Sequence, residues 1–149
     1  MNKVLSFHSK DIDVQLSAAA KKQSQHLPST LVIEIQIYFS CLLGKRLAFY
    51  SDEHIDNTYP LDKESFAEIL ADSQTITENL NLRFNTVMTK VCSVSDQVGP
   101  PPVTDFKIAN QKPYVPSWLS IDYENGIWSG KYGWDINNKK LSNIKQISA

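Results

Sequence analysis

The most regular hydrophobic pattern in the chain is an alternation that begins at Leu31. Every second position from Leu31 to Cys41 is apolar, whereas Glu34, Gln36 and Ser40 lie at intervening positions. A strict period of two that is rich in β-branched side chains predicts an antiparallel strand buried on one face only.

The break after this alternation predicts a β-hairpin. The tripeptide Leu43-Gly44-Lys45 separates the first apolar run from a second, which contains Leu47 and Phe49. A three-residue loop pairs apolar positions on one face, with the partners Cys41 and Leu47, Phe39 and Phe49, Tyr38 and Tyr50. Cys41 then lies in the core as a small hydrophobe, and the cations Lys45 and Arg46 keep the tip in water. The alternative is a reactive thiol activated by those cations.

Two segments have helical spacing. Between about Asp11 and His26, apolar residues recur at three- and four-residue steps, and Ser9 or Asp11 can cap the first turn. A second helix is predicted after Asp62, which is a suitable N-cap. Its apolar stripe consists of Phe66, Ile69 and Leu70.

Two further strands are indicated by shorter apolar patterns. Residues from Val4 to Phe7 suit a short first strand, and Leu80 to Cys92 suits a longer one. The alternation of the longer segment slips at Val87, which predicts a bulge near Thr86. The proline-rich segment at 98–103 predicts an irregular loop, because proline supplies no amide donor.

The strongest turn signal is Asn125-Gly126, which suits a type I′ turn because both central residues need positive φ. The register predicted from this turn pairs Tyr123 with Trp128, Ile121 with Gly130 and Leu119 with Tyr132.

Together these segments predict an α+β fold. We expect an antiparallel sheet of about four to six strands, with an N-terminal helix and a second short helix packed on one face. Residues 1–134 are expected to form a single domain. Residues 135–149 are polar and rich in Asn and Lys, which predicts a weakly ordered C-terminal tail or a short added helix.

Composition and charge narrow the function classes. The net charge is −1, which argues against strong nonspecific binding to nucleic acid because such binding needs a basic field. No stretch approaches the ~20 apolar residues that cross a bilayer, and the N-terminus does not resemble a secretory signal. The expected location is therefore the cytoplasm, where Cys41 and Cys92 would be thiols; in an oxidising compartment they could form a disulfide.

Motifs for catalysis or cofactor binding are absent from the sequence. The cysteines and the three histidines have no metal-ligand spacing, and there is no G-x-S-x-G, Walker or G-x-G-x-x-G motif. We therefore predict no cofactor, no metal and no catalytic residues, and we favour a protein that is not an enzyme. Asp122 and Lys131 could form an acid–base pair across the last hairpin, although a surface ion pair is the simpler interpretation.

The candidate binding site is the aromatic C-terminal hairpin. Large amphipathic aromatic residues are favoured at protein interfaces. The candidate residues are Trp118, Tyr123, Trp128, Lys131, Tyr132 and Trp134. The alternative is that Tyr123, Trp128 and Tyr132 are core residues, which leaves Trp118 and Trp134 for the surface.

Two functions remain open from the sequence. The first is a small soluble non-enzymatic protein that binds another protein, or a second copy of itself, through the aromatic hairpin or a sheet edge. The second is a small-ligand-binding domain or enzyme with a pocket between the sheet and the N-terminal helix. The polar groups proposed for such a pocket are Tyr38, Tyr50, Arg83 and Asp122.

Overall fold

The structure is a computed structural model that describes residues 2–39, 44–52, 59–89, 103–105, 108 and 110–135. Cys41, Cys92, most of the proline-rich segment and residues 136–149 lie outside this part of the chain. The predicted thiol chemistry and the predicted C-terminal tail therefore stay predictions.

Strands make up most of the described chain. In sequence order the elements are β1 (Asn2–Phe7), β2 (Lys10–Leu16), α1 (Ala18–Ser24), β3 (Leu31–Phe39), β4 (Gly44–Ser51), β5 (Tyr59–Pro60), α2 (Lys63–Ala71), β6 (Gln74–Thr77), β7 (Leu80–Thr89), β8 (Val103–Asp105), a 3-10 turn (Lys112–Tyr114), β9 (Trp118–Glu124) and β10 (Ile127–Gly133).

The strands form two mixed sheets. The first has the order β1-β2-β9-β10, and the second has the order β5-β4-β3-β7-β6 with β8 beside β7. The pairs β2–β9, β3–β7 and β4–β5 are parallel, and the other pairs are antiparallel. The predicted mixture of sheet and helix is confirmed, but the prediction of one antiparallel sheet is wrong. Alternation specifies which residues share a face; it does not specify which distant strand lies alongside.

The two sheets stack face to face around one apolar core. Buried residues of both sheets belong to the same hydrophobic cluster, among them Ile12, Val14, Ile33, Ile35, Leu82, Leu119 and Ile121. At the sides, β10 contacts β4 and β1 contacts β6. Side chains bridge both seams, because Lys45 Nζ donates to Tyr132 O and Gln74 Nε2 donates to Ser6 O. Contacts of this kind protect edge strands from pairing with other chains.

The N-terminal helix is shorter than predicted. Residues Lys10–Leu16 form a strand, because Ile12, Val14 and Leu16 are buried at alternate positions. Ile12 and Leu16 fit a helical spacing and a strand spacing equally well. The burial of Val14 distinguishes the two structures, because it fits only the strand spacing. The helix begins only after Ser17, whose hydroxyl caps it by accepting from the amide of Ala20.

The predicted hairpin of β3 and β4 exists, but its register differs from the prediction by six residues. Ile33 pairs with Phe49, where Phe39 was expected to do so, and Tyr38 pairs with Gly44. A shift by an even number leaves every side chain on the same face, so hydrophobic alternation alone cannot detect it. Lys45 and Arg46 consequently lie within a strand and not at a hairpin tip.

Gly44 occupies a position where a larger residue would not fit. An added Cβ would overlap the ring of Tyr38. The glycine that was predicted for the turn therefore leaves room for the Tyr38 ring against the backbone of β4.

Strand β7 shows why its alternation slips. It pairs with β3 in continuous register through Thr86, so the predicted bulge is wrong. Thr86 faces the space between the sheets, and Val87 is buried on the opposite face. Both faces of the strand are therefore covered at this point, which removes the usual contrast between apolar and polar positions.

The predicted α2 helix and C-terminal hairpin are confirmed. Asp62 caps α2 by accepting from the amide of Ser65 at 2.8 Å. Asn125 and Gly126 have φ of 52° and 81°, and the observed register is the one expected from a type I′ turn.

The assigned start of α1 at Ser17 can be tested by mutation. Ser17→Ala removes both the cap and the 2.6 Å hydrogen bond from Ser17 Oγ to Asp122 Oδ1, and it should lower the free energy of unfolding by about 1–2 kcal/mol. The control is Ser9→Ala in the β1–β2 turn. Ser9 has φ of 65°, which disfavours serine and alanine alike, so this variant should stay within about 0.5 kcal/mol. Urea unfolding followed by circular dichroism measures both variants. A larger loss in Ser9→Ala would contradict the assigned helix start.

Candidate functional site

The structure separates the six predicted binding residues into two groups. Trp118, Trp128 and Tyr132 are buried, and Tyr123 is half-buried with its ring 4.9 Å from that of Trp128. Lys131 and Trp134 are exposed. Most of the aromatic cluster therefore packs within the protein, and its exposed part is centred on Trp134.

Trp118 covers the outer face of the four-stranded sheet at a glycine. An added Cβ on Gly133 would lie 2.9 Å from Cζ2 of the indole, so the ring rests directly on the backbone of β10. The indole nitrogen donates to Asp135 O at 3.0 Å. The indole N–H is hydrogen-bonded and the ring is packed within the chain, as expected for a structural tryptophan.

Tyr132 connects the two sheets through its hydroxyl. The oxygen accepts from the amide of Arg46 at 2.9 Å and donates to Gln36 O at 2.9 Å, with Arg46 O 3.2 Å away. Gln36 and Arg46 are partners in the β3–β4 ladder. The hydroxyl of a β10 residue is therefore bonded to the backbone of two strands of the other sheet. Burial raises the pKa of Tyr132 well above its usual range.

An apolar cleft opens beside this connection, and we call it the aromatic cleft. Its volume is about 220 Å³, and its lining residues are Ile37, Gly44, Lys45, Tyr114 and Trp134. Ile37 is buried and forms the floor, whereas Trp134 is 38% exposed. The indole nitrogen of Trp134 donates to Tyr114 O at 3.3 Å, which fixes one wall.

Lys45 places a cation at the aromatic cleft. Its ammonium lies 5.4 Å from the ring centroids of both Tyr132 and Trp134, within cation–π range, and donates to Tyr132 O at 3.2 Å. Sequence reasoning missed Lys45 because it was expected at a solvated hairpin tip. No signal in the sequence indicates the register that brings it to Trp134.

A second feature, which we call the polar array, lies on the outer face of the six-stranded sheet. Glu34 and Gln36 are 2% and 0% exposed, although they were predicted to face solvent. Glu34 forms an ion pair with Arg83, and Gln36 donates to Glu34 and, at 3.0 Å, to Tyr50 Oη. The prediction of a half-buried β3 is therefore wrong, since both faces are covered.

Two arginines complete the polar array. Arg83 also donates to Asp72 at 3.0 Å; burial acts to lower its pKa, but Glu34 and Asp72 raise it overall. Arg46 donates from Nε to Gln36 Oε1 at 2.9 Å and from Nη2 to the same oxygen. The remaining nitrogen, Arg46 Nη1, is buried and has no hydrogen-bond partner among the residues that the structure describes.

The polar residues proposed for a ligand pocket do not meet at the N-terminal helix. Tyr50 and Arg83 belong to the polar array, and Tyr38 lies on the same face of β3. Asp122 instead accepts from Ser17 Oγ and from the amide of Tyr123. A depression of about 380 Å³ does lie beside α1; its lining residues are Ala19, Lys22, Gln23, His26 and Tyr123. All five of these side chains are exposed or half-buried, so the depression is shallow.

Comparisons with known proteins do not assign a family. No family model, no curated protein and no solved structure matches this chain. Within the described residues, no group of three or more His, Cys, Asp or Glu side chains could hold a metal ion. None of the helices that the structure describes is long and apolar enough to cross a membrane.

The hydroxyl of Tyr132 should contribute measurably to stability. Tyr132→Phe leaves backbone groups of Gln36 and Arg46 without this partner, which should cost about 1–3 kcal/mol of unfolding free energy. Tyr123→Phe is the matched control on the half-buried side of the same hairpin, with an expected change below about 0.5 kcal/mol. Urea titrations at neutral pH compare the two. Equal effects would show that the hydroxyl does not hold the sheets together.

The same hydroxyl predicts a pH dependence. Because the pKa of Tyr132 is raised on folding, its contribution is complete below the unfolded pKa near 10 and is lost as the pH rises towards the folded value. The difference in stability between wild type and Tyr132→Phe should therefore shrink between pH 8 and pH 11. Urea midpoints across this range measure it. A difference that grows with pH would contradict the assigned direction.

Proposed function

We propose that this protein is a non-enzymatic interaction module that takes one apolar side chain of a protein partner in the aromatic cleft. The observation that carries the proposal is an apolar cleft with a buried floor, Ile37, and an exposed tryptophan wall, Trp134. Among the other candidate residues of the hairpin, the proposal includes only Lys131, which is exposed on β10.

The size of the aromatic cleft favours a side chain over a larger ligand. A cavity of about 150 Å³ accommodates a single benzene ring, whereas sites for drug-sized molecules occupy roughly 300–1,000 Å³. The observed volume of about 220 Å³ fits one aromatic or large aliphatic side chain. The depression beside α1 is larger, but its mostly exposed walls cannot surround a small molecule.

The character of the walls supports a protein partner. Exposed tryptophan is enriched among the residues that dominate binding energy at interfaces, because it buries a large area with little loss of side-chain freedom. Lys45 lies in the aromatic cleft, and Lys112 is exposed two residues before Tyr114. These cations favour a partner segment with an acidic residue close to its apolar anchor.

Selection from a display library of random peptides tests the proposal. We expect the selected peptides to share one apolar anchor, and Trp134→Ala to weaken their binding by ~30-fold or more, as for an interface hot spot. Ile127→Ala is the matched control, because Ile127 is 51% exposed on the same hairpin but does not line the aromatic cleft. It should change the affinity by about twofold or less.

Two results would count against the proposal. One is unchanged binding of the selected peptides by Trp134→Ala, and the other is a set of selected peptides without a common anchor. Sedimentation that shows self-association of wild type, weakened by Trp134→Ala, would identify a second copy of this chain as the partner. Tryptophan fluorescence provides an independent readout, since binding should shift the emission of Trp134 to shorter wavelength.

A further inference from the structure

We propose that the partner of the aromatic cleft is an acidic extended segment with two apolar anchors, the second of which packs on Phe39 and Met88. The first anchor is the side chain that the aromatic cleft takes, so this inference rests on the proposed function. The second anchor lies on a neighbouring surface, and its binding can be measured separately.

An apolar surface continues from the aromatic cleft along the inner face of the six-stranded sheet. Ile37, the floor of the cleft, is 2% exposed, and Phe39 is half-buried. Phe39 is the ladder partner of Met88, which is 39% exposed. The ring of Phe39 lies 5.6 Å from that of Tyr114, which lines the cleft. Phe39 and Met88, which we call the second anchor site, are therefore continuous with the aromatic cleft through Tyr114.

The ends of two strands explain why the second anchor site is not covered. β9 and β10 terminate together, since Gly133 at the end of β10 pairs with Trp118 at the start of β9. The residue before Gly133 is Tyr132, whose hydroxyl donates to Gln36 O beside Ile37. Beyond Ile37 these two strands no longer lie over β3, so the inner face of the six-stranded sheet becomes accessible there.

The spacing of the two anchor sites matches an extended segment. Ile37 and Phe39 are two residues apart in a strand, which places them roughly 7 Å apart. Side chains on one face of an extended partner repeat at the same interval, so anchors at alternate positions fit both sites. A helix is about 10–12 Å wide, and a cleft of about 220 Å³ that takes one side chain is too narrow for it.

The lysines around this surface favour an acidic partner. Lys45 lines the cleft, and Lys112 is exposed at the start of the 3-10 turn. Lys10 lies near Lys112, because burial and the charge of Lys112 both lower the pKa of Lys10. None of the three forms an ion pair among the described residues. Asp11 is on the opposite face of β2, and Asp135, after the tryptophan wall, still leaves a positive excess. Carboxylates beside the anchors would complement this excess.

Short synthetic peptides test the two anchors on the folded protein. Each peptide contains glutamate and serine around one phenylalanine, and a leucine is omitted or placed one, two or four positions later. We expect the peptide with leucine two positions later to bind wild type about tenfold more tightly than the peptide without leucine. The other two spacings should gain about twofold or less. Fluorescence anisotropy measures each Kd.

Variants of the protein assign this gain to the second anchor site. Met88→Gln should abolish the gain and leave the Kd of the peptide without leucine within about twofold of wild type. Ile127→Gln is the matched control, because Ile127 is 51% exposed but does not line the cleft; it should keep the full gain. Trp134→Ala should weaken every peptide, since all of them use the first anchor.

The possible failures are distinguishable. Equal binding of all spacings by wild type, a larger gain at four positions, or a gain that survives Met88→Gln would overturn the second anchor and leave the aromatic cleft as a binding site. If Trp134→Ala weakens none of the peptides, the proposed function fails with it. Replacement of the glutamates by lysine should weaken binding by about tenfold or more, and unchanged binding would overturn the acidic partner.

Discussion

The rest of the structure depends on the burial of β3 on both faces. Seven consecutive residues, Leu31–Ile37, are buried. The isoleucines of one face join the core between the sheets, where apolar side chains need no hydrogen-bond partners. Glu34 and Gln36 are on the opposite face, and a buried carboxylate or amide is tolerated only when it is hydrogen-bonded. The neighbouring strands therefore have to supply Arg83, Arg46 and Tyr50 at matching positions.

The second organising contact is the hydroxyl of Tyr132. It reaches from β10 to the backbone of the Gln36–Arg46 pair, so it links the core side of one sheet to the strands that carry the polar array. Together with Lys45, it closes the seam between β10 and β4. The clustering of aromatic residues near the C-terminus is thus largely a requirement of packing. Trp134, at the end of β10, is the member that this packing leaves exposed.

Strand β4 presents its two adjacent cations to opposite faces of the sheet. Lys45 and Arg46 are adjacent in the chain, yet one contacts aromatic rings at the seam and the other lies in a polar network on the outer face. A cation over aromatic faces beside an apolar floor suits a partner side chain.

The sequence by itself determined the features that depend on neighbouring residues. Asn125-Gly126 specified its turn and register through positive φ, Asp62 specified the start of α2, and alternation identified the faces of β3. Tertiary structure decided which strands are neighbours, the register of β3 with β4, and the second covered face of β3. The physical reason is that alternation has a period of two: it is unchanged by an even shift, and it carries no information about a partner strand distant in sequence. The surroundings of Lys45 and Arg46 depend on this strand order and register, so the sequence pattern could not predict them.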